Sequence, residues 1–518
     1  MEKIKKGNLS NLKDNAYIKL LSVVILGVAF FLVNLYRMNE LICNSDMANM
    51  VLEAKDVLNG NIFLKDWNLT GISFISTDLL FFVIGVALFG VSVEAYVFAA
   101  ASMSFLLVVA SYLLIGKEKR VLGVLILGAL ACFPNLYCKS LLSIHTACFA
   151  MSYLSLYFIT NYFDSKKKTY GVLAFLFLSM AICGDSLAII LMVLPMVLMA
   201  IYEFIFRNKE DIDFKKNLFI CCFSVASVII GKGFEKIYLH IGGANLNAYI
   251  GQKSFIGFEE LYDKIVLFFS SLLGLVDADF SLKVVSEIPS LLAFGRAIIV
   301  IIGLVISIIE IVRFFKSKKY DYINTNLSIG FWCVALVYIF TNISVNNMTA
   351  RYYVFAPCFL AIISARFLAH RCKDIRQYVV YIIVAVILTL AAFVFGSGRM
   401  NNDTEKQYTE LITALEENNL KNGYSTFWTS SIMTVVTHND ITVRHIQQND
   451  SNISEYAYFS KNSWYDENAN FIIVNAGEAG FDEMLLNDQL GKPINCIECG
   501  QYKILIYDYD ISTILDKK

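Results

Sequence analysis

The chain has 518 residues, 57% of them hydrophobic and only 17% charged, against roughly 25% charged in an ordinary soluble domain, and its mean hydropathy is +0.59. That balance excludes a soluble globular enzyme. The formal net charge of −1 hides a division, because from Met400 onward there are 8 Lys/Arg against 18 Asp/Glu, leaving 35 against 26 before it.

Spanning a bilayer core of roughly 30 Å takes about 20 apolar helical residues. The first such run, Leu20 to Met38, follows five lysines and lacks a small-residue cleavage site, so it reads as a retained span with a cytoplasmic start. Residues 39–76 then form a long outer loop. Within it Met47, Met50, Val51, Ala54 and Leu58 follow helical spacing, while Asp46, Asn49, Glu53 and Asp56 occupy another face, which predicts an amphipathic helix along the membrane surface. Further spans are expected at Ser92–Ile115, Val121–Tyr137, Leu141–Phe163, Tyr170–Gly184, Leu187–Phe206, Leu218–His240, Ile288–Val312, Leu327–Ser344, Tyr353–Ala369 and Tyr378–Ser397. Lys/Arg clusters fall in alternate connections, the positive-inside pattern for eleven spans. Thr77–Gly90 and Ile265–Val276 are shorter and read as interfacial or re-entrant, so the count lies between eleven and thirteen. The Gly/Asn-rich stretch Gly242–Asp263 is a second long outer loop.

The expected architecture is an α-helical polytopic membrane protein, residues 1–399, carrying a small C-terminal α/β domain, residues 400–518, outside the cell membrane. Thr404–Asn419 has helical periodicity, and Ile441–His445, Phe471–Val474 and Tyr502–Tyr507 have strand patterns. No Gly-rich phosphate loop occurs there. Most of the twelve cysteines sit in apolar runs, and Cys496-Ile-Glu-Cys499 is a single CxxC without a second pair, which argues against a disulfide framework or a zinc site. Basic residues are not interleaved with aromatics as a nucleic-acid footprint, so no nucleic-acid partner is expected.

Chemistry-bearing residues cluster at the outer ends of the expected spans. Asp46 opens the amphipathic helix and reads either as an acid favoured by the helix dipole or as a general base. Arg351, in Ala350-Arg351-Tyr352-Tyr353, reads as an interfacial anchor or a phosphate clamp. His145 and Asp185 lie at outer-interface depth, as a packing histidine and a turn acid or as functional groups. Lys55 and Asp66 complete the first loop. The topology gathers these six residues on one side.

Ser45-Asp46-Met47-Ala48, Asp66-Trp67, and Ala350-Arg351-Tyr352-Tyr353-Val354 followed by Pro357 resemble the GT-C class of membrane glycosyltransferases, which includes protein O-mannosyltransferases and the enzymes adding aminoarabinose to lipid A. Leu52-Glu53-Ala54-Lys55, Ile144-His145, Gly184-Asp185 with Pro195, and Gly423-Tyr424-Ser425-Thr426-Phe427-Trp428 are similar to a bacterial set within that class bearing a small outer tail domain. The resemblance implies transfer of a sugar from a polyprenyl-phosphate donor to a cell-envelope acceptor at the outer leaflet, with inversion. It makes Asp46 the base and places Arg351, with Lys55 or His145, on the donor phosphate. Many relatives carry a paired Asp-Glu where Asp46 is followed by Met47; Glu53 or Asp78 are the candidate substitutes, and dependence on a divalent cation stays open. A Lys-Pro-Pro stretch of some relatives is missing. The alternatives are a transporter or lipid flippase, which needs mid-membrane polar groups and internal repeats, and a membrane anchor presenting the acidic tail.

Overall fold

The computed structural model of the chain describes residues 44–116, 120–127, 144–207, 213–246, 254–279, 286–317, 319–371, 403–449, 452–478 and 480–515, with ten isolated helical positions among 28–35 and 379–387. The helical part comprises α1 (Ser45–Leu58), α2 (Asp78–Phe89), α3 (Val93–Ile115), α4 (Arg120–Leu127), α5 (Thr146–Ser165), α6 (Lys168–Gly184), α7 (Ile189–Phe206), α8 (Phe214–Gly242), α9 (Leu261–Leu275), α10 (Ile288–Lys316), α11 (Tyr322–Phe340) and α12 (Ala356–Arg371). By length and apolarity α3, α7, α8, α10 and α11 can each cross a membrane, and the 3₁₀ turn Asn347–Tyr353 with the start of α12, bent by 45°, makes a sixth. Along α8, Ile229, Phe234, Ile237 and Ile241 are exposed, as are Leu291, Phe294, Ile298 and Ile301 along α10. Apolar faces of that extent are compatible with lipid contact.

The gap between six and the expected eleven to thirteen has particular sources. Apart from the ten isolated helical positions, the expected spans Leu20–Met38 and Tyr378–Ser397 lie outside the described residues, as does the second half of Val121–Tyr137. Helix α6 has 17 residues. Helix α5 has 20, but it carries Ser152, Ser155, Thr160, Asn161 and Asp164. Thr160 and Asn161 donate back to the carbonyls of Leu156 and Tyr157, at 2.9 and 2.7 Å, so their polar groups are met within the helix. Helices α2 and α9, with 12 and 15 residues, are the two short apolar pieces. In α7, Pro195 has no N–H to offer the Leu191 carbonyl one turn before it, and a π-helical segment, Ile189–Val193, precedes it. Gly330 of α11 closes on that segment, where a Cβ would lie 2.2 Å from the Leu191 oxygen.

Helix α1 is capped by Asn44, whose Oδ1 accepts from Met47 N at 3.1 Å. It is not laid open on a membrane surface as its amphipathic pattern suggests. It is packed between α2 and a helix of the tail, and Ser45 and every residue from Met47 to Ala54 are buried. Asn49, on the polar face, accepts a 2.8 Å hydrogen bond from Ser431 of the tail.

The tail holds α13 (Asp403–Glu417), α14 (Phe427–Val436) and α15 (Glu483–Leu490) around a six-stranded sheet. Numbering strands along the whole chain, β1 (Trp67–Leu69) and β2 (Asn245–Leu246) belong to the loops. The tail contributes β3 (Asn422–Ser425), β4 (Thr442–Gln448), β5 (Ile453–Glu455), β6 (Ser460–Lys461), β7 (Phe471–Asn475), β8 (Asn495–Cys499) and β9 (Tyr502–Ile506). The sheet order is β5-β4-β3-β7-β9-β8, with β4, β3 and β7 mutually parallel.

Tail and helical part are stitched together by a second, three-stranded sheet in which β1 lies between β2 and β6. The Trp67 indole packs edge-on against Trp464 at 5.1 Å, and its Nε1 donates to Asp56 Oδ2 at 2.7 Å. Asp56 also accepts from Asn61 at 2.6 Å and Lys461 at 3.1 Å. Three donors converge on one half-buried carboxylate. Asp56→Ala strands them, and hydrogen bonds to charged groups are worth about 1.5–3 kcal/mol each in favourable cases. The expected outcome is about 2–3 kcal/mol of destabilisation, seen as a lowered thermal midpoint and faster proteolysis between residues 56 and 70; an unchanged midpoint would contradict this role.

Candidate active site

The 3₁₀ turn Asn347–Tyr353 begins at Asn346, whose side chain accepts from Met348 N at 3.0 Å. Burial of Ala350 and Tyr353 fixes its inner face, and Arg351 is directed at the start of α1. There Arg351 Nη1 lies 3.3 Å from Asp46 Oδ2, with the Arg351 side chain 32% and the Asp46 side chain 15% exposed. The guanidinium also sits over the Tyr352 ring at 5.6 Å. Burial raises the Asp46 carboxyl above its ordinary range, and the charges of Arg351 and, more weakly, His145 pull it back down. Its place in the first turn of α1 favours the ionised form as well.

Behind this pair the side chains continue inward. Tyr352 packs against the His145 ring at 5.0 Å, and His145 Nδ1 lies 2.6 Å from Asp185 Oδ2, with both side chains buried. Asp185 ends α6 and accepts from Leu187 N at 2.9 Å, so its carboxylate is fixed. His145 precedes α5 with φ of +66°, and Phe74 packs edge-on against its ring at 5.3 Å. Asp78 is buried at the start of α2, within electrostatic reach of Asp185. Asp46, Arg351, His145 and Asp185 therefore form one connected group, with Asp78 beneath it.

Three other candidates stand apart. Lys55 follows Asp46 by nine residues, which places it about 180° around the helix. Its neighbours are Arg444, Glu467 and Asp56, and burial first, then Arg444, lowers its pKa. Lys55 is thus directed to the tail and not to Arg351. Glu53 is on the Asp46 side but about 10.5 Å further along α1, fully buried near Asp56 and Tyr238, and burial holds its carboxyl well above the usual range. It does not pair with Asp46. Asp66, with φ of +74°, accepts from Asn462 Nδ2 at 3.1 Å and Ser463 N at 2.9 Å, so it fastens the first loop to the tail. Among the described residues no three His, Cys, Asp or Glu side chains converge to hold a metal ion.

Asp46 and Arg351 open into a cavity of about 710 Å³ whose remaining walls belong to the tail. Phe427 and Trp428 come from the start of α14, Gln447 and Gln448 from β4, Tyr456 and Tyr458 from the segment after β5, and Glu478 and Gly480 from the loop after β7. Trp428 is 57% exposed. His445 holds the aromatic wall from behind: its Nε2 lies 2.9 Å from the Tyr458 carbonyl, and Phe427, Tyr456 and Trp464 surround its ring. Burial pushes His445 down to about 3, so it is neutral at physiological pH.

Of these tail residues only Thr426, Phe427 and Trp428 belong to a motif marked in the sequence, and that motif assigns the tail no task. The signal present is Trp428, one of only four tryptophans, three residues after Ser425. No protein-family model matches the chain, and no curated protein matches it in sequence.

Proposed function

We propose that this chain is a multi-pass membrane glycosyltransferase of the GT-C kind. Its eleven to thirteen spans would have the amino terminus in the cytoplasm and the Asp46–Arg351 cavity at the outer face. It moves a sugar from a polyprenyl-phosphate donor to a cell-envelope acceptor. The observation that carries the reading is the pairing of Asp46 with Arg351 across 305 residues at the mouth of a cavity walled by aromatic rings and amides.

In the reaction Asp46 takes the proton of the acceptor hydroxyl as that oxygen bonds to the anomeric carbon. The bond from the anomeric carbon to the phosphate oxygen breaks, and its electrons leave with the polyprenyl phosphate. Attack opposite the leaving group inverts the anomeric centre. Arg351 meets the charge that develops on the phosphate. Its 3.3 Å contact with Asp46 is longer than a strong charge-assisted bond, and its Nε has no hydrogen-bond partner among the described residues. The guanidinium can therefore turn to the phosphate at small cost and release Asp46 to the acceptor. His145, pinned by Asp185, holds Tyr352 and through it Arg351, and is a positioning residue.

The test is transfer by the purified chain in lipid nanodiscs, offered radiolabelled polyprenyl-phosphate hexoses and pentoses with a cell-envelope extract as acceptor. Label should move from the lipid to the acceptor and free polyprenyl phosphate should appear. Because burial raises the Asp46 carboxyl, the rate should fall on acidification at a pH above the ordinary aspartate range. Label that stays on every lipid donor would overturn the reading.

A further inference from the structure

The tail sheet puts its three parallel strands side by side in the order β4-β3-β7, so the chain leaves β3 to one side to form β4 and later returns to its other side as β7. In open sheets of this kind, ligands bind outside the carboxyl ends of the strands where the order reverses. The residues at and just after those carboxyl ends, Thr426–Trp428, Gln448 and the Glu478 loop, form the cavity wall facing Asp46 and Arg351. The crevice is constructed tightly. Glu478 accepts from Thr429 at 3.0 Å, from Asn475 at 2.7 Å and from Thr426, which fixes both of its oxygens. Gly480 closes on Thr426, where a Cβ would stand 2.3 Å from the Thr426 methyl.

We infer that this crevice is the acceptor subsite and that its ligand is a neutral, hydroxyl-rich glycan. The inference rests on the glycosyltransferase reading and adds the acceptor class and the task of the tail. An exposed indole beside fixed carboxylate and amide groups suits a pyranose, whose C–H face lies on the ring while its hydroxyls donate to oxygen acceptors. The cavity volume is within the range that holds small-molecule ligands. Charge selects against an anionic acceptor: Glu478 lies in the wall, and the tail carries 18 Asp/Glu against 8 Lys/Arg. Arg351, at the opposite wall, is left for the donor phosphate.

The test is binding of the labelled full-length chain in detergent to an array of neutral hexose and N-acetylhexosamine oligosaccharides, with phosphorylated and uronic-acid glycans as the anionic set. Wild type and Asp46→Asn should both hold neutral oligosaccharides. Trp428→Ala should weaken that binding by about tenfold or more with its thermal midpoint unchanged, because the replaced ring is largely exposed. Retention of anionic glycans alone, no retention of any neutral glycan, or equal retention by Trp428→Ala would overturn the inference. Label that stays on every lipid donor with the wild-type chain would instead defeat the functional reading and leave the binding result standing, so the two failures are separable.

Discussion

Asp46→Asn is expected to lower sugar transfer by about 10²–10⁴-fold, the range that a positioned general base contributes. Asparagine keeps the shape of the side chain and still offers Arg351 an oxygen acceptor, so the closure of the 3₁₀ turn on α1 should persist. The capping of α1 by Asn44 and the packing of Met47 to Ala54 do not involve the carboxylate. The loss should therefore appear in the rate, with the amount of protein in the membrane and its thermal midpoint near wild type. The same substitution removes the titrating group. In wild type, activity is present above the raised Asp46 pKa and lost as pH falls through it, since the protonated acid cannot accept the acceptor proton. The mutant's residual rate should lack that acid limb. A mutant that transfers at the wild-type rate, or that keeps the limb, takes the base role away from Asp46.

How much of this site is readable in the sequence differs by residue. Asp46 and Arg351 are separated by 305 positions, yet the count of apolar runs predicts that both lie on one side, and the two are in contact. His145 and Asp185 follow from the same count, and the 2.6 Å contact between them adds only the pairing. Helix α1 is readable as a helix but not in its surroundings. Its polar face looks solvated because Asn49 and Glu53 are polar, whereas that side of the helix is covered and Asn49 meets Ser431 from the tail. Lys55 lies away from the donor side that the resemblance implies, as the helix phase requires: nine residues from Asp46 is half a turn out of register. Asp66 gives no local sign that it fastens the first loop to the tail, since its partners Asn462 and Ser463 lie almost 400 residues away.

The tail is the least legible part of the chain. The strand Asn422–Ser425 contains no β-branched residue and a glycine, so propensity is silent where the central parallel strand runs. That glycine is required by packing: a Cβ on Gly423 would meet the Phe471 ring at 2.3 Å. Without β3 the parallel order β4-β3-β7 cannot be written, and without that order nothing in the sequence directs Thr426, Trp428 and Glu478 to a common crevice. Burial patterns of the longer strands, by contrast, are explicit: Phe471, Ile472, Ile473 and Val474 are all buried, the run expected of a strand covered on both faces.

Arg351→Met should lower transfer by about 10²–10³-fold, as does removal of one donor from a charge-stabilising site, and should also move the pH profile. Burial raises the Asp46 carboxyl and Arg351 is the largest influence lowering it. Methionine keeps the bulk and removes the charge, so the carboxyl rises further and the acid limb shifts to higher pH. At neutral pH the mutant then suffers twice, through weaker stabilisation of the leaving phosphate and through a smaller ionised fraction of the base. Arg351→Lys separates the two effects. A lysine charge near the same position holds the limb close to that of wild type, but a point charge lacks the planar fork that meets two phosphate oxygens, so the maximal rate stays depressed. Rate profiles for both variants, measured in nanodiscs over the range in which the protein stays folded, decide the matter. A limb that shifts upward in the methionine variant and returns in the lysine variant is the signature of a guanidinium acting on both Asp46 and the departing phosphate. An unmoved limb in Arg351→Met would mean that the 3.3 Å contact does not set the protonation of the base.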